Sequence, residues 1–162
     1  MFEKTGIASR DMVMGVFPSL ERIDRGPVAV VECYQKIPCN PCETACPFGA
    51  IKIGDDINNI PCRDENVCTG CGMCVAKCPG LSIMIVDGSK SKDTVEFRIP
   101  YEFLPLPDAG EKVTGLDRAG QPICEAKVIR VMNPASFDRT PVVTLEVGRE
   151  YLYDFRNFRR EA

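Results

Sequence analysis

Nine of the ten cysteines in this 162-residue chain fall between Cys33 and Cys78, and that crowding constrains the fold more than any other feature. The second run reads Cys68-x2-Cys71-x2-Cys74-x3-Cys78-Pro79, and an earlier one reads Cys39-x2-Cys42-x3-Cys46-Pro47. Thiols this dense either cross-link the chain or bind metal. The N-terminal Met-Phe-Glu-Lys-Thr-Gly has no basic segment leading into an apolar stretch, so a cytoplasmic location is expected, where thiols stay reduced and metal ligation is favoured over disulfides. A zinc pair would divide the cysteines into C-x2-C couples, and the triple Cys68, Cys71, Cys74 does not divide that way. A [4Fe–4S] cube takes one thiolate per iron, and C-x2-C-x2-C-x3-C-P is a spacing that holds one.

Composition narrows the remaining chemistry. The chain has no histidine, which removes His-ligated zinc, Rieske and haem–His sites together with the commonest general base. A formal charge of −3 and a pI near 5.1 argue against nucleic-acid binding through a phosphate-neutralising surface. No apolar run approaches the ~20 residues that span a bilayer. Hydrophobic residues at 44% and charged ones at 27% describe a globular chain.

A repeat appears at a shift of 32 residues: Cys39, Cys42, Cys46, Pro47, Ile51 and Ile53 fall on Cys71, Cys74, Cys78, Pro79, Ile83 and Ile85. Each copy reads as ligand loop, short helical turn and strand, the strands being 50–53 and 82–86. Val28–Val31 leads into the first loop as a strand, and 59–62 leads more weakly into the second. The polar run 88–93 reads as a linker. Beyond it, 94–99, 123–132 and 142–147 are β-branched stretches broken by proline and glycine, with a tight turn at 117–120. The expected organisation is α+β. It comprises an N-terminal arm (1–27), a two-cluster domain with pseudo-twofold repeat (28–88), and a small all-β, barrel-like domain (94–162) that covers a subunit interface. The apolar Met12–Pro18 stretch lies either on another protein or back over its own chain. The aromatic and basic stretch 151–160 reads as a terminal strand or short helix.

Cys68, Cys71 and Cys74 can bring three sulfurs to three corners of a cube. Gly70 and Gly72 let the backbone approach it. In motifs of this spacing the last cysteine serves the other cluster. Cluster II is therefore expected on Cys68, Cys71, Cys74 and Cys46, and cluster I on Cys33, Cys39, Cys42 and Cys78. The repeat partner of Cys68 is Lys36, so Cys33 is drawn in from three residues upstream. A longer loop costs little in closure entropy. Cys62 is the alternative fourth ligand, and with neither the site would hold a three-iron centre. Cys62 and Cys124 otherwise read as buried free thiols, and Lys36 as a solvated cation.

Residues 28–86 resemble the bacterial two-[4Fe–4S] ferredoxin domain, through Cys39-Asn-Pro-Cys-Glu-Thr-Ala-Cys-Pro and Cys68-Thr-Gly-Cys-Gly-Met-Cys-Val-Ala-Lys-Cys-Pro. The resemblance implies a ferredoxin-like core, two [4Fe–4S] clusters and one-electron transfer. The whole chain is also similar to the small iron–sulfur subunits of FAD-dependent amino-acid, proline, hydroxyproline or opine dehydrogenases, on Ile37-Pro-Cys-Asn-Pro-Cys-Glu-Thr and Glu102-Phe-Leu-Pro-Leu-Pro. That likeness implies flavoprotein (FAD or FMN) dehydrogenase subunits as partners in a hetero-oligomer.

The leading expectation is a non-catalytic electron-transfer subunit of an oxidoreductase complex. It competes with a freely diffusing dicluster ferredoxin carrying an accessory β domain, and with clusters that serve only as structural pins. A cube with four protein thiolates has no vacant iron, so no catalytic residue is expected.

Overall fold

The computed structural model describes residues 1–161. Two helices of the N-terminal segment begin on serine caps. Ser9 accepts from the Met12 amide at the start of α2 (Arg10–Val16), and Ser19 accepts from the Arg22 amide at the start of α3 (Leu20–Arg25), satisfying amides that a helix start leaves open. A shorter helix, α1 (Phe2–Thr5), precedes them. Val13, Phe17 and Ile23 are buried with Val28, Val30, Met84 and Val86. The arm therefore lies back over its own chain.

The strands β1 (Val28–Val31) and β4 (Ile83–Asp87) pair antiparallel, Val31 opposite Ile83. Their side chains alternate between two cores. Val28, Val30, Met84 and Val86 face the arm, while Ala29, Val31, Ile83 and Ile85 face the cysteine loops. Burial on both faces is why Val-Ala-Val-Val can be apolar throughout. The ligand loops pass through two five-residue helices, α4 (Pro41–Ala45) and α5 (Met73–Lys77), which pack against each other. A two-stranded ribbon, β2 (Ile51–Lys52) with β3 (Cys62–Arg63), closes the unit.

The repeat is visible in the strand register. Adding 32 to Val31 gives Arg63 and subtracting 32 from Ile83 gives Ile51. Ile51 and Arg63 are indeed partners, just as Lys52 and Cys62 answer to Met84 and Val30. Each half thus pairs its entering strand with the leaving strand of the other half.

The run 88–93, expected as a linker between two domains, joins neighbouring strands of one sheet. β5 (Thr94–Pro100) pairs with β4, and the sheet continues through β8 (Val142–Gly148), β7 (Pro122–Met132), β6 (Lys112–Leu116) and β9 (Asn157–Arg159) in the order β1-β4-β5-β8-β7-β6-β9. Among the described residues β1 and β9 are its edges and do not pair with each other, so the strands beyond 94 extend an open sheet and do not close as a barrel. The turn is held firmly. Asp87 accepts from the Ser89 amide and hydroxyl, and Arg149 donates to the Gly88 and Ser91 carbonyls and to Asp24. No helix among the described residues is long and apolar enough to cross a membrane.

Candidate iron–sulfur centre

Cys42 and Cys46 sit one turn apart at α4, and Cys74 and Cys78 stand likewise at α5. Four residues of helix rise about 6 Å, so each helix presents one sulfur to each of two neighbouring places. What ends the helices also aims the second sulfur. A proline disfavours the helical region for the residue before it, and Cys46 (ψ 109°) before Pro47 and Cys78 (ψ 114°) before Pro79 take the same extended conformation.

Two cavities result. One is lined by Cys33, Cys39, Cys42 and Cys78, with Val31, Ile37 and Ile83 among its apolar walls. The other is lined by Cys46, Cys68, Cys71 and Cys74, with Ala29, Ile51 and Ile85. The two linings group the cysteines as the spacing leads one to expect, each including the last cysteine of the other motif. Cys62 lines neither. It lies exposed on β3, at the repeat position of the core residue Val30, and so is not the buried thiol expected, because the two-residue β3 leaves it uncovered. Cys124 stands opposite Gly115, packed against the core beside the space that a side chain at 115 would fill.

The sulfurs meet backbone donors in a repeated pattern. The Ala50 amide donates to Cys46 Sγ at 3.3 Å, and its repeat equivalent, the Ser82 amide, to Cys78 Sγ at 3.5 Å. The Ser82 hydroxyl adds a contact of 3.2 Å. The Ala29 amide donates to Cys68 at 3.4 Å. That contact has no counterpart in the other half, where the equivalents are Pro61, which has no N–H, and Lys36, which has no sulfur. Both members of the contact are missing together, and Cys33 fills the place from the end of β1.

Burial and crowding set the thiols' acidity. Burial pushes Cys74 up to about 12 and Cys42 up to about 11, with neighbouring sulfurs of the same set adding repulsion. Burial, then Cys78 and Cys39, also raise Cys33. Burial acts upward on Cys46 too, but the amides of Phe48, Gly49, Ala50 and Ile51 together hold it below its ordinary value. Such a donor set suits a group that brings its own positive iron to each sulfur and accepts N–H bonds at sulfur. Among the described residues no three Cys, Asp or Glu side chains converge on the bonding distance of one ion.

Charged groups that the sequence pattern does not single out hold these loops. Arg22 is buried, and its guanidinium donates to four carbonyls: Glu65 (2.7 Å), Gly26 (2.9 Å), Pro27 (2.9 Å) and Cys68 (2.8 Å). Arg98 Nη1 donates to the Gly70 carbonyl at 3.1 Å. On the other side Glu32, beside Cys33, is buried between Arg118 and Arg156, and Arg156 also donates to the Leu81 carbonyl at 2.7 Å. Their partners lie up to 124 residues away, and nothing local in the sequence signals them.

No protein-family model and no solved structure matches the chain. Two curated proteins share a segment with it. Over 47 residues it is 45% identical to one component of the ion-translocating oxidoreductase complex of Methanosarcina acetivorans, covering 29% of this chain and 17% of that protein. Over 38 residues it is 50% identical to the corresponding component of the Na(+)-translocating ferredoxin:NAD(+) oxidoreductase complex of Acetobacterium woodii, covering 24% of this chain and 11% of that protein. The chain thus spans less than a fifth of either relative. The likeness, with the two four-cysteine cavities, supports an iron–sulfur, ferredoxin-like domain.

Proposed function

We propose that this chain is a non-catalytic subunit that relays single electrons through two [4Fe–4S] clusters in a multi-subunit oxidoreductase complex, between a flavin and a second flavin or a soluble acceptor. The observation that carries the reading is the cross-paired lining of the two cavities, Cys33, Cys39, Cys42 and Cys78 against Cys46, Cys68, Cys71 and Cys74. Bound there, each cluster supplies a one-electron couple with no bond made or broken.

The protein's part is placement and environment. Helices α4 and α5 each reach both cavities, which makes the two sites neighbours. Apolar walls from β1, β2 and β4 cover one side of each cavity and bury Cys42 and Cys74, while Cys71 stays exposed. Four thiolates per site leave no iron open to substrate, which speaks for a carrier role. Both relatives are named as subunits of oxidoreductase complexes, which supports membership of a complex over free diffusion. Flavoprotein dehydrogenase subunits are our choice of partner, on the resemblance of the loop 37–44 and the segment 102–107.

Anaerobic purification of the chain at native expression, with flavin measured in whatever co-elutes, tests this. Stoichiometric partner chains with bound flavin are the expected result. A lone, flavin-free monomer holding its full iron would make the protein a diffusing ferredoxin.

A further inference from the structure

The two cavities have different electrostatic surroundings. Beside the Cys33/Cys39/Cys42/Cys78 cavity the cations that are not exposed have carboxylates: Arg118 and Arg156 share Glu32, and Lys77 meets Asp138, while Lys36 in the 33–39 loop stands in solvent. Beside the Cys46/Cys68/Cys71/Cys74 cavity, Arg63 has Glu65 at 3.7 Å, but Arg22 and Arg98 form no ion pair among the described residues. Arg22 is 8% exposed. A buried guanidinium without an ion pair of its own is costly even when carbonyls satisfy its N–H groups, and the Glu65 carboxylate, held below its ordinary value by the Ser19 amide and hydroxyl and by Arg63 and Arg22, is shared with Arg63. One of those carbonyls belongs to the ligand Cys68 itself, and the carbonyl held by Arg98 belongs to Gly70, which lines the same cavity. Four thiolates around a cluster would supply further negative charge to answer these two cations.

Reduction of a [4Fe–4S] centre from the 2+ to the 1+ level adds one electron to an already anionic site. A fixed positive charge close by, in an interior that screens poorly, stabilises the reduced form more than the oxidised one. We propose that Arg22, assisted by Arg98, sets the potential of the Cys46/Cys68/Cys71/Cys74 cluster above that of the Cys33/Cys39/Cys42/Cys78 cluster, so that an electron entering the pair settles beside Arg22. Arginine stays protonated throughout, so no proton accompanies the electron. Arg22 is a positioning residue: it acts through the Cys68 loop and does not touch the reacting atoms. The inference rests on the two-cluster reading above.

The test is an anaerobic redox titration with dithionite as the one-electron donor, followed by EPR, each signal being assigned by its loss in Cys74→Ser or Cys42→Ser. In the wild type the Arg22-side cluster is expected to reduce first. Arg22→Gln should lower its reduced-to-oxidised ratio at fixed potential about tenfold, a shift of about 59 mV for a one-electron couple. The other cluster should be unmoved, and Arg22→Lys, which keeps the charge, should restore most of the ratio. Where Arg22→Gln does not load its cluster, Arg98→Gln decides by the same criterion, since it removes a single hydrogen bond at a half-buried site. Two intact clusters whose potentials stay put in the loaded Gln variants, or a wild type whose Arg22-side cluster reduces last, overturn this inference alone. A wild type without clusters overturns the functional reading and this inference with it.

Discussion

Cys33 and Cys62 have the same side chain, and only their surroundings separate them. Cys33 leaves the end of β1 into the cavity that holds Cys39, Cys42 and Cys78, whereas Cys62 lies exposed in the ribbon. Replacing Cys33 with Ser is expected to cost the first site about half of the protein's iron or convert it to a three-iron centre. Cys62→Ser should leave iron content and EPR spectra unchanged; iron lost from the Cys62 variant would reverse the assignment. Acidity gives a second residue-scale test. Cys74 and Cys42, raised to about 12 and about 11, keep their protons in the folded apo chain at pH values where free thiols, with an ordinary value of 9.0, have lost theirs. The folded apo chain therefore loses stability as pH rises above 9.0 toward 11 or 12, since the unfolded chain sheds protons that the folded chain retains. Cluster loading runs the other way, because it must displace those protons and is helped by higher pH. Across that range the melting temperature of the apo protein should fall while that of the reconstituted protein stays nearly level, and parallel slopes would contradict the thiol assignment. Gly70 supplies a third. It has φ +70°, and a side-chain carbon there would stand 2.3 Å from the Pro27 carbonyl oxygen. Gly70→Ala should cost at least the ~1–3 kcal/mol of left-handed strain, with loss of iron from the Cys68 side first.

Between elements, charge holds what packing leaves open. Glu32 ties the exit of β1 to Arg118 in the β6–β7 turn and to Arg156 just before β9, which fastens the first ligand loop to the far end of the sheet. Removing one partner from a buried ionic group strands the others, so Glu32→Gln is expected to destabilise the chain by about 3–5 kcal/mol, measurable by denaturant unfolding. A change under about 1 kcal/mol would mean that water already screens the group. The arm behaves as part of the core: Phe17→Ala removes a buried ring packed against Tyr153 and should cost about 3–5 kcal/mol. Elements built on local pattern are legible in the sequence. The β1 strand, the ligand loops and the strands at 94–99, 123–132 and 142–147 stand where their residue patterns put them, within a residue or two. Strand β6 is not legible, because Lys112-Val-Thr-Gly-Leu116 is short and carries a glycine, and the arm stays open because Met12–Pro18 has no clear period. The run 88–93 passes for a linker because a polar, turn-rich run looks the same whether or not the flanking strands pair across it.

At the scale of the molecule, one sheet runs from the iron–sulfur half into the β half, so the two are not separable by composition alone. The grouping of the eight cysteines around two cavities is legible because their spacing repeats along a continuous stretch of chain. The buried arginines are not, since each acts on carbonyls or carboxylates far away in sequence and any exposed arginine would read identically. The shared sheet also implies that cluster loading stabilises both halves together, as binding to the folded state alone must; the holo protein should melt in one transition well above the apo protein. The whole account depends on two cubes held by cross-paired cysteines. Counting iron and acid-labile sulfide in the anaerobically purified Cys46→Ser variant beside the wild type tests that claim most directly. About eight irons and eight sulfides are expected in the wild type. In the variant, the loss should fall on the Cys68/Cys71/Cys74 signal, while the Cys39/Cys42 cluster survives. Loss of the Cys39/Cys42 cluster with the other intact would contradict the cross-pairing, and a wild type with zinc in place of iron and sulfide would contradict the account entirely.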